Sequence, residues 1–395
     1  MKYCIVIPDG MADYPVDELD GKTPLEAADT PNMDRVAERG RQGTLYTVPE
    51  GMDPGSDVAI MSVLGIDPAT CYTGRAPLEA ASMGIELGPR DTAFRCNLVT
   101  VDEETMIDYS AGHITTAEAA ALIEAIGERL ATEAIRFYPG VSYRHLMVYR
   151  GPEDVSAECT PPHDITGEPY KRYLPRGPGA ELLRELMESS AEILEPHDVN
   201  AVRVDHDESP ANMIWLWGSG KAPTLRTFKD RFGKTGAVIS AVDLVKGIGT
   251  YLGFDVIEVE GATGYLDTNY AGKAEAAISA FGTHDLVVVH VEATDEAGHK
   301  GSVREKIQAI EDIDAKVLGP ILDAMLDQTD FRILVTPDHP TPISERTHVA
   351  EPVPFAMCGT DVQPVHEMPF SEKTAADTGL RIEHGHELMA YFLRE

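Results

Sequence analysis

Three short apolar runs limit what this chain can fold into. KYCIVIP stops at Asp9-Gly10, HDLVVVHV leads into VEATDEAGH, and DFRILVTP ends on Asp338-His339. Each run is continuous in its apolar residues and too short to cross a membrane, the signature of strands buried on both faces. VPFAMCG reads as a further strand. VREKIQAIEDIDAKVLGPILDAML, with apolar residues at Ile307, Ile310, Ile313, Val317 and Leu318, reads as a helix, and so does TPNMDRVAERGRQG, with a Gly stop. Strands alternating with helices predict an α/β fold built on a doubly wound sheet.

With 395 residues, the chain has room for more than one domain. Between residues 91 and 235 the texture changes to Pro, Gly and loop residues, as in FYPGVSYRHLMVYRGPED, TPPHDITGEP and LPRGPGAE. This predicts an α+β domain at 91–235 inserted into a core formed by 1–90 plus 236–395. TFKDRFGKTG reads as the return linker, and IWLWG, with Trp215 and Trp217, reads as core.

Asp and Glu number 66 against 33 Lys and Arg, a net charge of −33. Such a surface repels nucleic acid and anionic membranes, although a local basic pocket can still take a phosphorylated small molecule. Five dispersed cysteines without a CxxC pair fit a reducing compartment. MKYCIVIPDGMADYP turns polar too early for a signal sequence. The expectation is a cytoplasmic protein acting on a small molecule.

Asp295 and His299 are four residues apart, so on a helix they share one face and can share one divalent ion. Asp338 and His339 end a strand, His348 follows in a Pro-rich loop, and Asp9 ends the first strand. Open α/β sheets bind ligands beyond the carboxyl ends of their strands, where these six residues could form a two-metal site. In PGSDVAIMSVLG, Ser56 precedes a helical run. It could cap that helix, or serve as a nucleophile activated by the metal pair, with the helix N-terminus favouring an anionic phosphate.

The set IPDGMAD, PGSDVAIMSVLG, YTGRAPLEAASMG, VEATDEAGH and TPDHPTPISERTH resembles the cofactor-independent phosphoglycerate mutases of the archaeal type, metalloenzymes of the alkaline phosphatase superfamily. The resemblance runs from residue 1 to about 390. It implies an alkaline phosphatase-like fold, with the core as the catalytic, metal-binding domain and 91–235 as the substrate-binding domain. Ser56 resembles the phosphorylated nucleophile. Asp295, His299 and His348 resemble the ligands of one metal, and Asp9, Ser56, Asp338 and His339 those of the other. Two divalent ions are implied, Mn2+ or Mg2+, with Zn2+ or Co2+ as alternatives, and no 2,3-bisphosphoglycerate. The implied reaction interconverts 3-phosphoglycerate and 2-phosphoglycerate.

Arg75 and Lys273 are candidates for holding phosphate. Arg144 and His163 are candidates for the carboxylate or hydroxyls, Arg being suited to bidentate recognition. The stretch MIDYSAGHI departs from an Arg-containing pattern in some archaeal mutases. Together with FYPGVSYRHL, PPHDITG and NMIWLWG, it is similar to a branch that resembles homoserine kinases. The sequence therefore carries a mutase reading beside a homoserine kinase, a metal-dependent phosphatase and a non-catalytic binding protein.

Overall fold

The computed structural model describes residues 1–328 and 330–394. Its strands in chain order are β1 (Lys2–Pro8), β2 (Arg41–Leu45), β3 (Thr92–Val101), β4 (Met106–Asp108), β5 (Ile135–Val141), β6 (Arg144–Tyr149), β7 (Met213–Lys221), β8 (Gly236–Ile239), β9 (Asp255–Val256), β10 (Leu286–Val291), β11 (Phe331–Val335), β12 (Val353–Gly359) and β13 (Arg381–Ile382). The chain divides into two compact units, Met1–Tyr72 with Leu225–Glu395, and Thr73–Thr224.

The first unit holds an eight-stranded sheet in the order β13-β2-β12-β11-β1-β10-β8-β9. β1 lies between β10 and β11, parallel to both. Tyr3, Ile5 and Ile7 alternate with Cys4 and Val6, and all are fully buried. Both faces of β1 are therefore covered, as its unbroken apolar run requires. Cys4 and Val6 join Val287, Val289, Ile310, Ile313 and Leu318 in the principal core. Each such side chain contributes about 1.5–3 kcal/mol over leaving it in water.

Two expectations for this region change. β12 runs antiparallel to β11 and to β2, so one end of the sheet is mixed. The predicted long helix also splits into Val303–Ile313, a π-turn over Asp314–Leu318, and Gly319–Leu326. Two causes act here: Pro320 has no N–H to donate, and Asp314 is drawn inward to accept from Asn32 N and Met33 N. A buried carboxylate with such local partners is the kind of insertion that widens a helical turn. The inward position near the start of this helix belongs to Lys306, not Ile307. Lys306 is fully buried, with Nζ 2.7 Å from Asp13 Oδ2 and 2.8 Å from the Thr341 carbonyl.

The second unit is an antiparallel sheet in which β3 is the hub, pairing with β4, β6 and β7, while β5 pairs with β6. The helices Thr116–Leu130 and Ala180–Leu194 supply Leu122, Ile123, Ile126, Leu183 and Met187 to one core with Trp215 and Trp217. The first of these helices opens with a Thr115–Glu118 capping box, which satisfies two otherwise orphaned N–H groups.

Candidate active site

Within the first unit, three strand ends bring the site together. Asp9 follows β1, and its N–H donates to the Val291 carbonyl of β10 at 3.0 Å. Gly10 turns the chain there with φ +60, and a Cβ would come within 2.6 Å of the Asp295 carboxylate and 2.5 Å of Thr341 Oγ1. Only glycine fits such a left-handed and crowded position. Its N–H donates to Asp338 Oδ1 at 3.1 Å, tying the loop after β1 to the loop after β11.

Asp295 and His299 share one face of the helix Ala293–Lys300, and Nε2 of His299 is 3.1 Å from Asp295 Oδ2. His299 Nδ1 is 3.0 Å from the Arg346 carbonyl. A carbonyl only accepts, so Nδ1 carries a proton and a neutral ring turns its Nε2 lone pair inward. There it meets His348 Nε2 at 3.0 Å, while His348 Nε2 lies 3.4 Å from Asp295 Oδ1. Two imidazole nitrogens and a carboxylate aimed at one point need a proton or a metal ion between them. Without an ion, burial works against a charged His299, but the Asp295 hydrogen bond and charge outweigh it and push its pKa up to about 9.

The second group is Asp9, Asp338 and His339, all fully buried. His339 Nε2 is 3.6 Å from Asp9 Oδ1 and 3.4 Å from Asp338 Oδ2. Neither of those carboxylate oxygens has a hydrogen-bond partner among the described residues. Burial, then the charges of Asp338 and Asp295, raise the Asp9 pKa well above the carboxylate range. Unpartnered buried carboxylate oxygens are costly unless a cation meets them. Both groups have their ligand atoms within 4.8 Å of one another, as a metal site requires. A third set at that spacing, Asp9, His290 and Glu292, adjoins them.

Thr341 connects the two groups. Its hydroxyl donates to Asp295 Oδ1 at 2.5 Å and sits 3.3 Å from His339 Nδ1. The hydroxyl proton being used, it accepts from Nδ1–H, which leaves the His339 Nε2 lone pair facing the site.

Ser56 is the first residue of the helix Ser56–Val63, and Gly55, not Ser56, holds the N-cap position. Its Oγ is instead 3.2 Å from His339 Nε2. The capping role open in the sequence is thus not the one it plays. Asp9, Ser56, Asp295, His299, Asp338, His339 and His348 all converge here. Lys273 is fully buried beneath them, donating to the His290 carbonyl at 2.8 Å. Burial lowers its pKa to about 8, with the Glu292 charge opposing.

The other three predicted residues belong to the second unit and form a basic, aromatic cluster. Arg95 lies 4.1 Å over the Trp217 ring, with Nε 3.0 Å from Glu79. Burial lowers the Arg95 pKa, Glu79 opposes, and the neighbouring charges of Arg75 and Arg144 add to the lowering. The His163 ring is 5.3 Å from Trp217 and 6.0 Å from Tyr109. Burial, and then the Arg95 and Arg75 charges, lower the His163 pKa against the pull of Asp164. Arg95 carries no signal in the sequence, Tyr109 lies in the MIDYSAGHI stretch that departs from the Arg-containing pattern, and Trp217 lies in the core as the sequence predicts. His290, Glu292 and Thr341 were missed too. The signal for His290 was there, a polar residue inside an otherwise apolar buried strand.

The family model for 2,3-bisphosphoglycerate-independent phosphoglycerate mutase matches residues 37–200. A 2,3-bisphosphoglycerate-independent phosphoglycerate mutase of Methanosarcina acetivorans is 58% identical over 91% of this chain and 91% of its own. Among solved structures, a protein from Pyrococcus horikoshii superposes with a TM-score of 0.84 at 31% identity, covering 99% of this chain and 96% of its own. A cofactor-independent phosphoglycerate mutase from Thermoplasma acidophilum gives 0.69 at 29% identity, covering 100% and 99%. On this likeness the chain belongs to the family of 2,3-bisphosphoglycerate-independent phosphoglycerate mutases, which are isomerases.

Proposed function

We propose that the chain interconverts 3-phosphoglycerate and 2-phosphoglycerate without 2,3-bisphosphoglycerate, using Ser56 as a transient phosphoryl acceptor beside two divalent ions. The observation that carries this is Ser56 Oγ, uncapped at a helix N-terminus and 3.2 Å from His339 Nε2, next to buried carboxylate oxygens without partners. Asp295, His299 and His348 would hold one ion. Asp9, Asp338, His339 and Ser56 would hold the other. Bound there, the ions would lower the pKa of the Ser56 hydroxyl and offset charge on the transferring phosphoryl group. Mn2+ suits this carboxylate and imidazole donor set, with Mg2+, Zn2+ or Co2+ as alternatives.

The chain's own residues do the following. Ser56 Oγ loses its proton and attacks phosphorus, the bond from phosphorus to the substrate's 3-oxygen breaks, and that oxygen takes up a proton to give glycerate. The 2-hydroxyl of glycerate then loses its proton and attacks the phosphorus of phosphoserine, the bond from phosphorus to Ser56 Oγ breaks, and Oγ takes up a proton. The N–H groups opening the Ser56–Val63 helix favour the phosphate. Arg75 would hold phosphate, and Arg144 and His163 would grip the carboxylate and hydroxyls, joined by Arg95, with 91–235 as the substrate-binding domain. Lys273, bonded to the His290 carbonyl, would contribute positive charge from beneath rather than a surface grip on phosphate. The protein would act in the cytoplasm. Among the described residues no helix is long and apolar enough to cross a membrane.

The test follows 2-phosphoglycerate formation, through enolase coupling, from 3-phosphoglycerate and Mn2+ without 2,3-bisphosphoglycerate or ATP. A rate abolished by chelator and by Ser56→Ala is expected. Metal-loaded protein that is inactive here but phosphorylates homoserine with ATP would overturn the mutase reading.

A further inference from the structure

Ser240, His290 and Asp9 form a chain of hydrogen bonds across three neighbouring strands. Ser240 follows β8, His290 lies in β10 opposite Ile7, and Asp9 follows β1. Val242 N donates to Ser240 Oγ at 3.0 Å. The Ser240 hydroxyl can then direct its own proton to His290 Nδ1, 3.1 Å away. A neutral imidazole that accepts at Nδ1 carries its proton on Nε2. That nitrogen is 2.7 Å from Asp9 Oδ2.

One oxygen of Asp9 is thus tied down, while Oδ1 faces His339 with no hydrogen-bond partner among the described residues. We propose that His290 is a positioning residue that holds the Asp9 carboxylate with Oδ1 presented to the ion of the Asp9, Asp338 and His339 group. The inference rests on the two-ion reading above. By distance alone, His290 could instead ligate a third ion with Asp9 and Glu292. The bonding pattern speaks against this, because the Nε2 lone pair a ligand needs is replaced by a proton donated to Asp9. A Ser240 hydroxyl donating to Nδ1 is compatible with that tautomer, which the Asp9 carboxylate favours by accepting at Nε2. Partners of this kind orient metal ligands, and losing one typically weakens metal affinity 10–100-fold.

The experiment titrates Mn2+ into chelator-treated full-length protein and reads free Mn2+ by electron paramagnetic resonance, with thermal melting of the metal-free forms as a folding control. Wild type is expected to bind two ions. His290→Ala should weaken one of them about 10–100-fold and leave the other unchanged. His290→Gln, whose amide can still donate to Asp9, should recover part of that loss. Ser240→Ala should weaken the same ion only a few-fold, and it carries the test if His290→Ala does not fold. In an Asp338→Asn background, which already lacks this ion, His290→Ala should change nothing further. Unchanged affinity for both ions in folded His290→Ala would overturn the proposal. So would three ions in wild type, with only the third lost in His290→Ala. Fewer than two ions in wild type would instead overturn the two-ion reading, and this proposal with it.

Discussion

In the first unit the side chains that converge are mostly acceptors: Asp9 and Asp338 with unpartnered buried oxygens, and imidazole nitrogens turned inward. In the second they are donors: Arg95 lies over the Trp217 ring, feels the charges of Arg75 and Arg144, and Trp217 in turn meets His163, which meets Tyr109. The first set leaves buried carboxylate oxygens without hydrogen-bond partners, whereas in the second Glu79 already pairs with Arg95. The contrast teaches that an acidic chain can keep converging acceptors and clustered guanidinium groups apart by placing them in different units. Bulk charge says nothing of either, since a net −33 coexists with a local guanidinium cluster.

The sharpest way to break this division is Ser56→Ala, expected to lower the mutase rate by about 10^4-fold or more. A rate within tenfold of wild type would mean the chemistry does not belong to the first unit. Next comes the scaffold of that unit. Lys306→Met strips the partner from buried Asp13 and should cost about 3–5 kcal/mol, read by urea denaturation. A loss below about 1 kcal/mol would show that the pair is dispensable. In the second unit, Arg95→Ala should raise KM about 10–100-fold, equivalent to about 1.5–3 kcal/mol, while Mn2+ stoichiometry stays at the wild-type value. Arg95→Lys should rescue little, because a flat guanidinium stacks on Trp217 and an ammonium does not. A changed stoichiometry in Arg95→Ala would blur the comparison.

The smallest effects concern pH. Burial pushes Glu372, in the first unit, up to about 7 from 4.5. Its neutral form fits the fold, so its contribution is complete below pH 4.5 and is lost as pH rises through about 7. Burial pushes His145, in the second unit, down to about 3 from 6.5. Its contribution is complete above pH 6.5 and is lost as pH falls towards about 3. Glu372→Gln should flatten the alkaline limb of the stability profile and His145→Gln the acid limb. The same limb flattening in both variants would show that the two groups do not titrate as their burial implies.

The sheet was legible because strands buried on both faces must be continuously apolar, and KYCIVIP and LVVVHV leave little else to choose. The metal-like groups were legible because Asp and His at strand ends and at helical spacing are an unusual placement. Lys306 was not legible, since a lysine beside an apolar helix position reads as exposed until Asp13 is found opposite it. The antiparallel setting of β12 was hidden because a buried strand looks alike in either direction. Arg95 sits in a strand whose residues are all buried, where a cation is unexpected without Trp217 and Glu79, both distant in sequence.

β1 has a consequence for how the polypeptide is made. Its partners β10 and β11 leave the ribosome some 280 residues or more after it, which at about 5–20 residues per second is roughly 15–55 s. Through that interval an apolar strand with two open edges exists without its neighbours, while Thr73–Thr224, contiguous in sequence, can complete its own sheet. The strand that carries Asp9 therefore waits unpaired through that interval, and the catalytic centre can assemble only after β10 and β11 have emerged.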